Sequence, residues 1–282
     1  MLIQWFPGHM AKTKRLIIEH LKAVDVAAEL LDARIPLASA NPMVEELLSG
    51  KPRIIILNKA DLADPGMTKA WESYYKRKGV AAVSMSCGNG KDKKKFLRLI
   101  KEAASPMLEK WKRRGLKTRS VRIMILGIPN VGKSTLINFI SGTAAARTAN
   151  TPGHTRGKQW VRLSQGLDLL DTPGVLWPKF EDQAVGLRLA LIGSIKEEIL
   201  NTTEMAMEFI GFLKKSYSGV LVERYSVDES KENLEILEEI ARIRGCLMKG
   251  NQTDIDKAGR LLLEDFRSLR LGKLSLEVPD AQ

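Results

Sequence analysis

Cysteine is scarce in this chain: its 282 residues include two, Cys87 and Cys246, far apart in the sequence. A disulfide framework or a cysteine-rich metal site needs more cysteines at closer spacing, so we expect two reduced thiols. No apolar run is long enough to span a bilayer, and the first residues lack the basic and apolar segments of a signal peptide. The sequence therefore predicts a cytoplasmic protein with no membrane partner.

Acidic residues are scarce in one segment of an otherwise mixed sequence. Residues 91–122 hold 13 Lys and Arg against 3 Asp and Glu, and the whole chain has a formal net charge of +12. Residues 185–282 hold 14 basic and 17 acidic residues, so the positive charge is local. A basic run is usually a solvated helix face. At this density, a polyanion such as RNA is the favoured partner.

Apolar runs of strand length alternate with helical patterns until about residue 180. This alternation predicts an α/β fold with a doubly wound, mostly parallel sheet over residues 1–180. Residues 159–163 and 167–170 are close enough in sequence to form a hairpin, and residues 105–119 are predicted as a basic linker. Helical periodicity dominates afterwards, in stretches at roughly 182–215, 231–244 and 254–271, and predicts a C-terminal all-α domain over residues 181–282.

A glycine-rich loop stands between a predicted strand and a predicted helix. It has the pattern Gly-x-x-x-x-Gly-Lys-Ser from Gly127 to Ser134. Its backbone N–H groups and the following helix N-terminus are suited to bind phosphates. Lys133 is expected at the β- and γ-phosphates, where it assists catalysis, and Ser134 at Mg²⁺. The residues of this loop predicted to bind the nucleotide are Asn130, Val131, Gly132, Lys133, Ser134 and Thr135.

A second phosphate-site motif, Asp-Thr-Pro-Gly, begins at Asp171 after another predicted strand. Asp171 is expected to hold Mg²⁺ through water, and the Gly174 N–H to sense the γ-phosphate. Thr155 is the candidate that completes the Mg²⁺ coordination when GTP is bound, and Thr151 is its rival.

The base is predicted from Asn-Lys-Ala-Asp, which starts at Asn58 after a buried strand. The Asp61 carboxylate is able to accept from guanine N1–H and the exocyclic amine, whereas adenine would leave the carboxylate unpaired. Asn58 is expected to face the N7/O6 edge, and the Lys59 stem to lie along the ring. At the next strand end, Ser86 or Cys87 is predicted to offer a backbone N–H to guanine O6. The predicted ligands are therefore GTP and GDP.

The glutamine that positions the attacking water in many GTPases is missing. Val175 follows the Asp-Thr-Pro-Gly motif, and a valine cannot hydrogen-bond water. We therefore expect slow intrinsic hydrolysis and another group that orients the water. His9, in a Pro-Gly-His turn, is the first candidate, and His154 is the second.

The order of the motifs is rotated, because the base-reading motif precedes the phosphate loop. With Gln4–Met10, Asp32–Pro36 and Trp177–Phe180, this order resembles the circularly permuted P-loop GTPases of the ribosome biogenesis GTPase A family. The resemblance implies GTP hydrolysis during late assembly of the large (50S) ribosomal subunit, with stimulation by the ribosomal particle. It also implies rRNA and ribosomal proteins as partners.

Two residue roles follow from the resemblance. Asn130 resembles the asparagine that holds a monovalent cation in potassium-activated GTPases, so K⁺ is expected beside Mg²⁺. The same resemblance favours His9 as the residue that orients the water.

Other functions stay open at this point. The chain is alternatively an RNA-binding module that uses GTP as a structural clamp with incidental turnover. A signalling or membrane-remodelling GTPase is less favoured, because no lipidation motif is present. The helical domain is expected to bind either RNA or protein, and the chain to be monomeric off the ribosome.

Overall fold

The computed structural model describes residues 10–48, 50–115, 119–142, 159–163, 166–172, 182–195 and 201–280. The chain divides into two compact units. One, called here the sheet unit, holds the described residues up to Thr172 together with Ser275–Asp280. The other, the helical unit, runs from Asp182 to Leu274.

A six-stranded sheet forms the centre of the sheet unit. Its strands are β1 (Val26–Asp32), β2 (Arg53–Asn58), β3 (Ala81–Ser84), β4 (Val121–Gly127), β5 (Gln159–Leu163) and β6 (Leu167–Asp171). They lie in the order β3-β2-β1-β4-β6-β5, and every pair is parallel except the β5–β6 hairpin. All seven residues of β1 are buried, as expected for a central strand covered on both faces. The predicted α/β class and the hairpin are confirmed.

The helices of the sheet unit cover this sheet. They are α1 (Met10–Leu21), α2 (Pro36–Ser39), α3 (Pro42–Leu47), α4 (Pro65–Arg77), α5 (Gly90–Arg113) and α6 (Lys133–Ser141). Side-chain caps fix three starts, since Asn41, Asp64 and Asn89 each accept a hydrogen bond from a first-turn N–H. Among the described helices of the chain, none is long and apolar enough to cross a membrane.

The predicted linker of residues 105–119 is wrong over its first half, because helix α5 continues to Arg113. Its apolar face keeps the helical period, and Ala104 and Trp111 are both buried. Pro106 cannot donate to the Glu102 carbonyl, but the Ser105 hydroxyl donates to that oxygen at 2.8 Å. The proline is therefore tolerated, and much of the basic segment lies on a regular helix.

The helical unit contains α7 (Gln183–Leu191), α8 (Thr202–Ser216), α9 (Val220–Tyr225), α10 (Asn233–Ile243) and α11 (Ile255–Arg267). Helices α8 and α11 pack together through Phe209 and Phe266, whose ring centroids lie 4.9 Å apart. The single helical stretch predicted from 182 to 215 is wrong, because α7 ends before Gly193. This glycine has φ 77°, a conformation that ends helices.

The last described residues differ from the predicted domain division. The sequence predicts a helical domain that runs to residue 282, whereas Ser275–Asp280 belong to the sheet unit. Leu276 and Glu277 are buried as part of the sheet unit, where they are only 5% and 6% exposed.

Candidate nucleotide-binding site

The predicted motifs follow strands whose carboxyl ends meet at one edge of the sheet. Asp32 of β1 is in register with Asn58 of β2, and Leu30 with Gly127 of β4. On the other side of β4, Ile125 is in register with Asp171 of β6. In open α/β sheets, ligands bind outside this edge. The register thus brings the phosphate-loop, base and Asp-Thr-Pro-Gly motifs to one side of the sheet despite their rotated order.

The phosphate loop takes a backbone that needs its glycines. Gly127 has φ 151°, and a Cβ there would lie 2.6 Å from the Leu30 carbonyl oxygen. Gly132, with φ 100°, is the N-cap of α6. The Lys133 ammonium donates to the carbonyls of Gly127 at 3.0 Å and Ile128 at 2.8 Å. Lys133 therefore lies folded across the loop, beside its glycine-rich backbone.

Asn58 joins the base motif to the phosphate loop. Its Nδ2 donates to the Val131 carbonyl at 2.7 Å, and the Cys87 thiol lies 3.6 Å from its Oδ1. A Cβ on Gly132 would lie 2.5 Å from Asn58 Nδ2. The Asn58 amide group is thus used inside the protein, where it fixes the separation of the two motifs. The sequence motif predicts a role for Asn58 at the base, whereas this link to the phosphate loop is visible only in the structure.

Lys59 is held by a buried ion cluster beneath the base motif. Its Nζ lies 3.1 Å from Asp32 Oδ2, and Arg34 donates to both Asp32 oxygens at 2.9 and 2.8 Å. Burial alone would raise the pKa of Asp32, but the charges of Arg34 and Lys59 lower that pKa well below its usual range. Burial also lowers the pKa of Lys59, against the attraction of Asp32. Asp32 is therefore a supporting residue of the site.

The loop after Lys59 is tied to the end of β3. The Ala60 N–H donates to the Met85 carbonyl at 3.0 Å. The side chain of Asp61 is exposed. Burial, followed by the carboxylates of Asp61 and Asp92, raises the pKa of the Cys87 thiol to about 11. The Ala60–Met85 hydrogen bond thus joins the loop that carries Asp61 to the segment that leads to Cys87.

The two residues predicted to meet guanine O6 differ in their surroundings. The Ser86 N–H donates to Asp92 Oδ2 at 2.9 Å, so the protein already uses that donor. Cys87 comes next in the chain and has its thiol against Asn58.

The metal-side motifs start from fixed backbone positions. The Thr172 hydroxyl is buried and donates to the Ile125 carbonyl at 2.6 Å, which anchors the Asp-Thr-Pro-Gly motif to β4. Asp171 is paired through its backbone with Ile125 and Gln159. Ser134 and Thr135 stand in the first turn of α6, and Asn130 of the loop has φ 58°. The predicted residues that lie outside the described ones are His9, Thr151, His154, Thr155, Gly174 and Val175.

Comparison with known proteins identifies the family. A family model described as "50S ribosome-binding GTPase" matches residues 122–241. Ribosome biogenesis GTPase A of Bacillus cereus is 46% identical over 281 residues, which cover 99% of this chain and 95% of that protein. The chain belongs to the ribosome biogenesis GTPase A family. This membership confirms the predicted resemblance, the P-loop GTPase fold and GTP hydrolysis as the activity.

Other members of the ribosome biogenesis GTPase A family are similar to this chain in sequence and in structure. The Thermotoga maritima protein of that name is 32% identical over 278 residues, with 99% of this chain and 95% of that protein covered. The crystal structure of GNP-bound YlqF from T. maritima is 29% identical, with a TM-score of 0.68. Its match covers 96% of this chain and 100% of that one. The GDP-bound YlqF structure has a TM-score of 0.72 at 28% identity and covers 95% and 100%. Guanine-nucleotide binding is thus a property of the family.

The Asp32 cluster of this family member has a testable stability role. Asp32→Ala leaves Arg34 and Lys59 without their buried carboxylate, so we expect a loss of about 3–5 kcal/mol in the free energy of unfolding at pH 7. Because folding lowers the pKa of Asp32 from the usual value of 3.8, this contribution is present above that value and declines as the pH falls further. Urea denaturation at pH 7 and pH 3 measures the difference.

Asp61→Ala is the matched control, because that carboxylate is exposed. We expect it to change the free energy of unfolding by no more than about 0.5 kcal/mol. Equal losses for the two variants, or an Asp32→Ala loss that grows at pH 3, would contradict the ion-cluster role.

Proposed function

We propose that this GTPase acts in late maturation of the large (50S) ribosomal subunit, with hydrolysis stimulated by the ribosomal particle. The observation that carries the GTPase part of the proposal is the Asn58–Val131 hydrogen bond, which joins a base-reading motif to a phosphate loop. Relatives across the full chain are named for ribosome biogenesis, and the matching family model is described as ribosome-binding. A GTP-dependent clamp without functional turnover is the less favoured reading.

The phosphate and metal roles follow the geometry of the loop. Gly132, Lys133 and the first turn of α6 suit the β- and γ-phosphates, because their backbone N–H groups and one ammonium lie together. Ser134, Asp171 and Thr155 would hold Mg²⁺, which neutralises phosphate charge when bound. Ser134 is suited to this role because it stands in the first turn after the loop.

A monovalent cation is the second proposed metal. Asn130 would hold K⁺, and its φ of 58° places it at a sharp turn of the loop. A cation there would add positive charge near the phosphates during hydrolysis. His9, with His154 as the alternative, is proposed to orient the water, and Gly174 to sense the γ-phosphate.

The base roles are assigned to the loops after β2 and β3. Asp61 accepts from guanine N1–H and the exocyclic amine, and Lys59 covers the ring. Between the two O6 candidates, we assign the donor role to the Cys87 N–H, since the Ser86 N–H is occupied by Asp92. The long-range links from Ala60 to Met85 and from Asn58 to Cys87 support this pocket.

The basic face of α5 is proposed as an rRNA contact. Lys94, Arg98 and Lys101 recur at helical spacing, and all three are exposed. Basic side chains on one helix face bind phosphate backbones through charge, which makes binding dependent on salt. Ribosomal proteins complete the proposed partners, and the free protein is proposed to be a cytoplasmic monomer.

The helical unit also carries a cationic cluster. Three arginines surround the buried Asp265: Arg224 at 2.8 Å, Arg270 at 3.0 Å and Arg244 at 3.8 Å. Burial alone would raise the pKa of Asp265, but its arginine and tyrosine partners lower it. Three cations on one carboxylate leave excess positive charge on partly exposed side chains. This favours RNA over protein as the ligand of the helical unit.

Cosedimentation with purified large-subunit precursors tests the proposal. We expect the parent protein to sediment with the particles in a non-hydrolysable GTP analogue and to be released in GDP. Reversing Lys94, Arg98 and Lys101 to Glu should weaken binding at least about tenfold, since each reversal replaces attraction to phosphate with repulsion. The weakening should diminish as salt is raised.

The matched control reverses Lys69, Lys76 and Arg77 of α4, which are also exposed. It makes the same change in net charge and should leave binding unchanged. Equal weakening by both triple variants would contradict an α5 contact. No binding of the parent in either nucleotide would contradict the assembly role.

A further inference from the structure

The last described segment of the chain, Ser275–Asp280, is called here the C-terminal strap. It follows the helical unit in sequence but belongs to the sheet unit. Ser275, Leu276 and Glu277 are each less than a tenth exposed, although they stand close to the end of the chain. Burial of a short polar segment requires specific partners, and those partners all lie near the base motif.

The first part of the strap contacts the segment that follows β1. The Leu276 N–H donates to the Arg34 carbonyl at 2.8 Å. The Glu277 carboxylate accepts from the Leu37 N–H at 2.7 Å and the Ala38 N–H at 2.9 Å. Hydrogen bonds from two amides to one buried carboxylate are charge-assisted and short. They fix the backbone immediately after the Asp32–Arg34 ion pair.

The strap also contacts the segment that follows β2. The Asp64 N–H donates to the Ser275 hydroxyl at 3.2 Å, and Trp71 Nε1 donates to the Glu277 carbonyl at 3.3 Å. Asp64 stands three residues after Asp61 and caps α4 through the Met67 N–H. The strap therefore holds the far end of the loop that carries Asp61.

These contacts lie on both sides of the base motif. On one side, the strap bonds to Arg34, whose guanidinium holds Asp32, and Asp32 in turn pairs with Lys59. On the other side, it bonds to Asp64, at the end of the Asp61 loop. We infer that the C-terminal strap is a positioning element that sets the Lys59–Asp61 loop for guanine recognition.

This inference rests on the proposed role of Asp61 at the guanine exocyclic amine. A strap that positions Asp61 contributes to the choice of base and not only to stability. Loosening the strap should then weaken the binding of GDP more than the binding of inosine diphosphate, which lacks the exocyclic amine. A strap that merely stabilises the fold would leave the ratio of the two affinities unchanged.

The test measures the dissociation constants of GDP, inosine diphosphate and ADP for the parent chain and three variants. We expect Glu277→Ala to raise the GDP constant about tenfold, through loss of two charge-assisted hydrogen bonds, and to reduce the preference for GDP over inosine diphosphate. Glu277→Gln should retain part of that preference, because its amide oxygen still accepts one N–H and its shape is conserved. Val278→Ala is the matched control, since Val278 is 71% exposed in the same segment.

The possible outcomes distinguish a failure of the strap's positioning role from a failure of the proposed guanine site. If the folded variants Glu277→Ala and Glu277→Gln retain the parent's preference for GDP over inosine diphosphate, the strap does not position the loop. The same conclusion follows if both nucleotides weaken equally, or if Val278→Ala acts like Glu277→Ala. If the parent does not prefer GDP to ADP, the proposed guanine site itself is wrong, and the inference falls with it.

Discussion

Gly132→Ala should lower the affinity for GTP and GDP at least about a hundredfold. Gly132 has φ 100°, a conformation that costs an L-residue about 1–2 kcal/mol. The new Cβ would also lie 2.5 Å from Asn58 Nδ2, so Asn58 must give up its bond to the Val131 carbonyl. A lost buried hydrogen bond adds about 1–3 kcal/mol, and the amides that bind phosphate are displaced. Titration with a fluorescent GDP analogue measures the affinity.

Gly142→Ala separates backbone strain from the close contact. Gly142 has φ 74° at the end of the same helix, and its nearest neighbour would be Lys93 Nζ at 4.0 Å. This control should cost about 1–2 kcal/mol of stability while nucleotide affinity stays close to that of the parent. Normal binding by Gly132→Ala, or equal losses in both variants, would show that the Asn58 link does not organise the loop.

Asp61→Asn should change the preferred base from guanine to xanthine. The carboxylate accepts two hydrogen bonds from guanine N1–H and the exocyclic amine. An asparagine amide instead accepts from N1–H and donates to the O2 carbonyl of xanthine. Because the guanine amine would then face another donor, we expect GDP affinity to fall at least about a hundredfold. Xanthosine diphosphate should bind more tightly to the variant than to the parent.

Competition of the two diphosphates against one fluorescent nucleotide measures this reversal. ADP serves as the internal control, because neither the carboxylate nor the amide matches adenine at both positions, and its binding should stay weak throughout. An unchanged ratio of GDP to xanthosine diphosphate affinity in the variant would exclude Asp61 as the base-reading residue.

The sheet and its functional edge were predictable because their signals are local. Continuous apolar runs predict buried parallel strands, and each motif begins where such a run ends. Gly127, Asn58 and Asp171 therefore had to meet at the carboxyl edge in any order of the chain. This is why a rotated motif order still predicts a guanine-nucleotide site.

Other features depend on contacts that sequence patterns do not carry. The sequence predicts a linker in place of the C-terminal half of α5, because Pro106 is a helix breaker and no sequence pattern indicates the Ser105 hydrogen bond that offsets it. The Glu277 bonds to α2 span about 240 residues of sequence. Asp32 lies in one of the segments that carry the family resemblance. Its role in the site depends on Lys59, which the pairing of β1 with β2 brings close.

GTP hydrolysis by this protein, measured with and without purified large ribosomal subunits, tests the proposed function most directly. Val175 in place of the water-positioning glutamine predicts slow turnover alone. Addition of the particles should accelerate single-turnover hydrolysis at least about tenfold, as a partner that completes a catalytic site does. An unchanged rate with saturating particles would contradict the proposed function.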